Sequence, residues 1–390
     1  MSISQRFANL LSRNIVHGKL IPEIDGLRFL AILLVFLHHV YSFFEFSSPH
    51  HFDDLEDYGW LRQWLTDGRK GVDLFFVISG FILALPFAKS YLKGAPRPSL
   101  KRYFKRRLTR LEPPYIVAMV GMFIVFPLVT SMDYAFAFES LLASLIYSHV
   151  FIYGVTSFLL AVAWSLELEV HFYVLAPLLF MVLKLPKIAR RAGLVLFILV
   201  LPFLQAQIQT PAFYLFHYFQ FFLAGILLAD FYIERPSLDT GKPFFTFAGL
   251  VLFMGVLFMP HVRTHLMNSP DDLYYAMIFP LAIAGFYYIV LTNRFWGKVF
   301  GYRWISLIGG MCYTIYLIHQ PLLSAMMKII FRYQFFDSFP AEYLLVTLLC
   351  IPPVLAASVI FYLLVEKPCM DPEWPEKLWR KTKGMLVKTT

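Results

Sequence analysis

Long apolar windows recur along this 390-residue chain, and they constrain its fold more than any short motif does. Each spans roughly 18–22 mostly apolar residues, enough for a helix that crosses about 30 Å of hydrocarbon. Hydrophobic residues make up 59% of the chain and charged residues only 15%, too few to give such helices the polar faces of a soluble domain. The sequence therefore predicts an all-α, polytopic membrane bundle. The eleven windows cover 28–47, 71–88, 113–131, 139–162, 164–183, 192–208, 212–232, 243–260, 273–292, 305–327 and 341–365.

Basic residues predict which of these windows cross the membrane. If window 139–162, which polar residues interrupt, does not span, 28 of the 34 Lys and Arg residues fall on the cytoplasmic side. If it spans, that count drops to 16 of the 34. Because cytoplasmic loops are enriched in Lys and Arg, we predict about ten transmembrane helices with both termini cytoplasmic. Segment 139–162 is then an extracytoplasmic or re-entrant element.

The first predicted span carries two residues that are costly in a membrane. Arg28 and His39 are eleven residues apart, close to three helical turns, so they share one helix face about 16 Å apart along the axis. Buried ionisable groups of this kind are usually functional. The alternative is that Arg28 is a membrane anchor and His39 a packing partner. His38 points about 100° away, and a structural role is favoured for it.

A basic stretch follows the second span. Arg107 and Arg110 are three residues apart and share one face of a helix, which Pro113 and Pro114 are expected to break at the membrane boundary. Arginine side chains suit phosphate recognition, because the guanidinium group donates two parallel hydrogen bonds. The alternatives are a patch for anionic lipid or a simple topology signal.

Other polar residues in or near the spans are candidates for the same site. Glu169 could orient and charge-stabilise an imidazole, or it could be an interfacial, water-exposed carboxylate. The same two readings, functional or structural, apply to the remaining candidates. These candidates are Asp73, Tyr313 and His319. The loop at 50–57 mixes His and Asp, but a solvated loop explains it, and no metal site is expected.

Six segments together resemble the acyltransferase family 3 membrane proteins, in the order that the family has. The resemblance covers roughly residues 21–368. Each segment alone is short and mostly apolar, so the order of all six carries the resemblance. The segments are IDGLRFLAILLVFLHH, GVDLFFVISGF, KRRLTRLEPPY, WSLELEVHFYVLAPLL, YTIYLIHQPLL and the closing EKP at 366–368.

The resemblance implies roles for named residues. The family's Arg-x10-His element falls on Arg28 and His39, the histidine being the expected catalytic residue. Its Arg-x-x-Arg element falls on Arg107 and Arg110, which are expected, with Arg28, to contact the acyl-CoA. Its Trp-Ser-Leu element with a following acid falls on Trp164, Ser165 and Glu169, which implies Glu169 as a second catalytic residue and the other two as supporting residues. In the implied mechanism Glu169 or Asp73 holds the tautomer of the catalytic histidine. Relatives often have two adjacent acids there, whereas this chain has Val170 after Glu169 and an additional Glu upstream.

The resemblance also implies an activity. A ten-span bundle in the bacterial inner membrane would transfer an acyl group from cytoplasmic acyl-CoA, acetyl-CoA in the first instance, to a hydroxyl of a glycan, glycolipid or small molecule. A proton- or solute-coupled transporter and a non-catalytic scaffold are the alternatives. We divide the chain into a tail at 1–20 without a cleavable signal peptide, an acyltransferase domain at 21–368 and a basic tail at 369–390. The basic tail is expected on anionic lipid, and the net charge of +9 reflects topology rather than nucleic-acid binding.

Overall fold

Helices form all the regular structure in the part of the chain that the computed structural model describes, which is residues 3–13, 20–52, 54, 56–207, 216–235, 240–261, 270–371 and 373–377. The α-helices are α1 Ile3–Leu11, α2 Pro22–Ser47, α3 Gly59–Thr66, α4 Gly71–Lys93, α5 Leu100–Val129, α6 Tyr134–Leu145, α7 His149–Tyr153, α8 Ala163–Leu179, α9 Lys187–Ala206, α10 Phe219–Glu234, α11 Pro243–Phe258, α12 Pro270–Thr292, α13 Arg294–Phe300, α14 Arg303–Gly310, α15 Cys312–Ile330, α16 Phe339–Phe361 and α17 Lys367–Cys369. Short 3₁₀ turns Asp67–Lys70 and Phe180–Lys184 and a π-helical turn Tyr362–Glu366 extend α4, α8 and α16. The predicted break at Pro113 and Pro114 is wrong, because α5 continues through both prolines. Membrane helices tolerate proline where neighbouring groups satisfy the backbone groups that it frees.

Eight helical segments within the described ranges are long and apolar enough to cross a membrane, which confirms the predicted polytopic bundle. They are Pro22–Ser47, Gly59–Lys93, Leu100–Val129, Ala163–Lys184, Lys187–Ala206, Phe216–Glu234, Asp272–Thr292 and Phe339–Cys369. Two further predicted spans correspond to α11, which has 16 residues, and to the more polar α15, which has 19.

The doubtful window at 139–162 forms no membrane-length helix. It contains the end of the 12-residue helix α6 and the five-residue α7, and both are too short to cross a bilayer. Glu167 has a structural role here: its carboxylate accepts a hydrogen bond from the backbone N–H of Val150, 3.2 Å away, in the first turn of α7. The additional Glu of the α8 motif thus holds this segment against the bundle.

Helices α4 and α10 are in backbone contact at two glycines. A Cβ atom on Gly80 would lie 2.3 Å from the carbonyl oxygen of Phe222, and one on Gly225 would lie 2.3 Å from that of Val77. Small residues allow this close approach, which is a common way to pack helices in lipid. The ring of Phe222 stacks on Phe172 of α8, with 3.9 Å between centroids. The glycine contact therefore also determines where α8 lies.

We expect Gly225→Ala to destabilise the protein, because two rigid backbones would have to separate to admit one methyl group. Overpacking of this kind costs about 1–3 kcal/mol. Gly121→Ala in α5 is the matched control, since a Cβ atom there meets nothing within 4 Å. Thermal unfolding in detergent should show a lower midpoint for Gly225→Ala and no decrease for Gly121→Ala. Equal midpoints for the two variants would contradict the close contact.

Basic segments gather at one end of the bundle. Arg303 donates a hydrogen bond to the side chain of Asn9, and Lys105 pairs with Glu376. At the same end of the bundle α9 and α10 are joined by a buried ion-pair network, in which Arg190 and Arg191 both donate to the carboxylates of Asp230 and Glu234. This end corresponds to the side predicted to be cytoplasmic.

Candidate functional site

A cavity between α2, α4, α5, α8 and α15 collects the predicted arginines. We call it the arginine cavity; its polar lining is Arg28, Arg107, Arg110, Ser79, Ser165, Glu169, Tyr173, Tyr313 and Tyr316. Arg28 comes from α2 and the Arg107/Arg110 pair from α5, so the structure brings together the three residues predicted to contact acyl-CoA.

The arginine cavity is electropositive. Arg28 pairs with Asp25 at 2.5 Å, and the same carboxylate oxygen is 2.9 Å from Arg13, which is anchored on the carbonyl of Gly310. Arg110 lies within electrostatic range of Arg13, Arg28 and Arg107. Its Nε is buried and has no hydrogen-bond partner within the described residues. A buried donor of this kind is costly when unpaired, and an anionic ligand would satisfy it.

A second cavity lies farther along α2 and contains His39. We call it the histidine cavity; it is lined by Val35, His38, His39, Arg69, Val72, Asp73, Thr156, Trp164, Tyr218, His261 and Tyr316. It shares Val72 and Tyr316 with the arginine cavity. Because α2 is continuous from Pro22 to Ser47, Arg28 and His39 line two cavities that follow one another along the same helix.

The hydrogen-bond partner of His39 is another histidine. Nδ1 of His39 is 2.8 Å from Nε2 of His319 on α15. His319 is fully buried, and its Nδ1 is 2.9 Å from the carbonyl oxygens of both Ile315 and Tyr316. His319, one of the predicted candidates, thus supports the ring of His39 through a hydrogen bond.

The two predicted acids are not at His39. Glu169 accepts hydrogen bonds from Ser79, at 2.5 Å, and from Tyr173, on the side of the arginine cavity. Asp73 faces the histidine cavity, but its carboxylate is 3.1 Å from Nδ1 of His261. The prediction that Glu169 or Asp73 holds the tautomer of His39 is therefore wrong, because Nδ1 of His39 pairs with His319 instead. A catalytic role for Glu169 stays a prediction.

The remaining predicted candidates lie in or near the wall between the two cavities. Trp164 lines the histidine cavity and Ser165 the arginine cavity. The Ser165 hydroxyl is 2.7 Å from the hydroxyl of Tyr316, which also donates to the carbonyl of Val162. Tyr313 donates to the carbonyl of Leu111 on α5. The family's Trp-Ser dipeptide thus lies across the boundary between the two spaces.

Some residues of the site were not foreseen. Arg13 lies in the N-terminal tail, and His261 follows α11 in a loop, so neither falls in a motif. Lys70 donates to the carbonyls of Leu257 and Met259 at 2.7 and 2.8 Å, which fixes the end of α11 just before His261. Within the described part of the chain, no group of three or more His, Cys, Asp or Glu side chains is arranged to hold a metal ion.

Comparison with known proteins gives one matching family. The family model described as "Acyltransferase domain" matches residues 21–363. The O-acetyltransferase OatA of Staphylococcus aureus (strain NCTC 8325 / PS 47) is 23% identical over 328 residues, 78% of this chain and 50% of that protein. A candidate O-acetyltransferase of Staphylococcus aureus (strain COL) is 30% identical over 174 residues, 42% of this chain and 25% of that protein. The chain thus spans between a quarter and a half of the length of these relatives. No solved structure matches it significantly.

Proposed function

Because the chain belongs to the acyltransferase domain family, we propose that it is a membrane O-acyltransferase that moves an acyl group from cytoplasmic acyl-CoA to a hydroxyl of a glycan or glycolipid. Acetyl-CoA is the donor we favour, since the relatives are named O-acetyltransferases. The observation that carries the proposal is the succession of an arginine-lined and a histidine-lined cavity along α2.

The arginine cavity has the chemistry of a donor site. The diphosphate and 3′-phosphate of CoA are multiply charged, and arginine forks bind such groups through charge-assisted hydrogen bonds. Arg28, Arg107 and Arg110 supply three guanidinium groups, and Nε of Arg110 is a buried donor without a partner among the described residues. The pantetheine arm would then extend along α2 toward His39, about 16 Å from Arg28 along the axis.

The histidine cavity has the chemistry of an acceptor site. Trp164 and Tyr218 offer apolar ring faces to a sugar, while Arg69 and His261 offer hydrogen bonds to its hydroxyls. His39 takes the proton of the attacking hydroxyl as general base. The oxygen bonds to the thioester carbonyl carbon, the carbon–sulfur bond then breaks, and the CoA thiolate leaves with that proton to give an ester and a thiol.

The proposed orientation follows from charge. The basic end of the bundle, with the arginine cavity, faces the cytoplasm, where acyl-CoA is made. The histidine cavity then receives its acceptor from the other side of the bacterial inner membrane. Tyr316 and Val72, which line both cavities, would be where the thioester passes from one side to the other.

The experiment uses membrane vesicles from cells that express the protein, because such membranes retain their native acceptors. We expect label from [14C]acetyl-CoA to appear in alkali-labile, vesicle-bound material, above the level in vesicles without the protein. A transporter would give solute or proton flux in proteoliposomes without acyl-CoA and no labelled ester. Absence of labelling, together with no acetyl-CoA binding by the purified protein in calorimetry, would overturn the proposal.

A further inference from the structure

The hydrogen bonds of His319 fix which of its ring nitrogens carries hydrogen. Its Nδ1 lies 2.9 Å from two main-chain carbonyl oxygens, those of Ile315 and Tyr316. A carbonyl oxygen only accepts, so Nδ1 of His319 must donate and must therefore carry the hydrogen. Either carbonyl alone would require a hydrogen on Nδ1, and both carbonyls agree on it.

The neutral form of His319 follows from its surroundings. The side chain is fully buried, and its hydrogen-bond partners within the described residues are two carbonyls and His39, none of which is an acid. An imidazolium there would be a buried charge without a counter-ion, which is strongly disfavoured. A neutral imidazole has one N–H, so Nε2 of His319 has a lone pair and accepts.

The assignment of His319 determines that of His39. Nδ1 of His39 is 2.8 Å from Nε2 of His319. Because the latter accepts, Nδ1 of His39 must donate, and the lone pair of a neutral His39 is on Nε2. His39 thus donates to His319, and His319 donates to the main chain of α15.

We propose that His319 is a positioning residue that holds His39 in the tautomer with an unprotonated Nε2, the atom that accepts the proton of the attacking hydroxyl. The inference rests on the proposed function, since it concerns the residue assigned there as the base. In many hydrolases a buried carboxylate holds the tautomer of the catalytic histidine. Here a second, neutral imidazole backed by main-chain carbonyls does so, which avoids placing another charge at this depth in a membrane.

His319→Gln and His319→Leu separate this role from simple packing. A glutamine has a carbonyl oxygen that can accept from His39 and an amide group that can donate to the main-chain carbonyls. It therefore preserves the direction of both hydrogen bonds. Leucine fills similar space but does neither. We expect His319→Leu to lower kcat in the vesicle assay roughly hundredfold or more, as when a tautomer-holding group is lost elsewhere. His319→Gln should remain within about tenfold of wild type, and KM for acetyl-CoA should be unchanged in both.

A spectroscopic measurement tests the tautomer without any activity. Solid-state NMR of 15N-histidine protein in lipid bilayers, with His39 assigned by comparison with His39→Gln, should show Nδ1 protonated and Nε2 unprotonated. In His319→Leu both tautomers should appear. A protonated Nε2 on neutral His39 in the wild type would overturn the inference.

Other outcomes separate the two proposals. If His319→Leu keeps kcat within threefold of wild type, or if His319→Gln is as inactive as His319→Leu at equal thermal stability, the positioning role is refuted. In a His39→Ala background, His319→Leu should cause no further loss, because the two residues act as one unit. Full activity of His39→Ala alone would refute the base assignment, while the NMR result would still decide the tautomer.

Discussion

Replacing His39 with alanine is expected to lower acyl transfer by about a hundredfold to ten-thousandfold, the usual contribution of general acid–base catalysis. The imidazole lies at the histidine cavity, where a hydroxyl would meet the thioester, and its only hydrogen-bond partner within the described residues is the neutral His319. Acetyl-CoA affinity should not change, because the donor's phosphates are assigned to the arginine cavity. The measurement is kcat and KM in labelled vesicles, with calorimetry on the purified variant.

His38→Gln is the matched control for His39→Ala. His38 precedes His39 on α2 and also lines the cavity, but its Nδ1 is 3.1 Å from the carbonyl oxygen of Leu65 in α3. That contact gives His38 a structural role between α2 and α3, so its substitution should reduce kcat less than tenfold. If instead His38→Gln abolishes transfer and His39→Ala does not, the base has been assigned to the wrong imidazole.

Helical periodicity was sufficient to place Arg28 and His39 on one side of α2. Once a span is helical, an eleven-residue separation fixes both the shared face and the distance along the axis. The same reasoning placed Arg107 and Arg110 together on α5, and the apolar windows predicted the membrane helices. Each of these predictions depends on positions within one helix, which sequence spacing determines directly.

Contacts between helices could not be obtained in this way. His39 and His319 are 280 residues apart, and nothing in the spacing of either helix indicates that their rings meet. The sequence also identified Glu169 as a candidate but not the cavity that it lines, which is the arginine cavity rather than the one that contains His39. The glycine contact between α4 and α10 positions α8 through Phe222 and Phe172, and that packing, rather than any motif, brings Glu169 to the arginines.

The other large effect is expected on donor binding. Arg107→Ala combined with Arg110→Ala should weaken acetyl-CoA binding about hundredfold or more, since each hydrogen bond between charged groups contributes about 1.5–3 kcal/mol and 1.4 kcal/mol is a factor of ten. Both guanidinium groups line the arginine cavity. Calorimetry on purified protein in detergent measures the change. Binding by the wild type should also weaken as salt is raised, because the attraction is partly screened.

Arg106→Ala separates a specific site from general attraction to a basic surface. Arg106 is the neighbour of Arg107 on α5, and its replacement removes one positive charge, as each substitution of the double variant does. Arg106 is not among the described residues that line the arginine cavity. A site that recognises phosphate through placed guanidinium groups should lose little affinity in this variant. Lysine at 107 and 110 should restore only part of the affinity, because lysine keeps the charge but not the fork. If Arg106→Ala and the double variant weaken binding equally, the basic face acts only as an attractive surface and the donor site lies elsewhere.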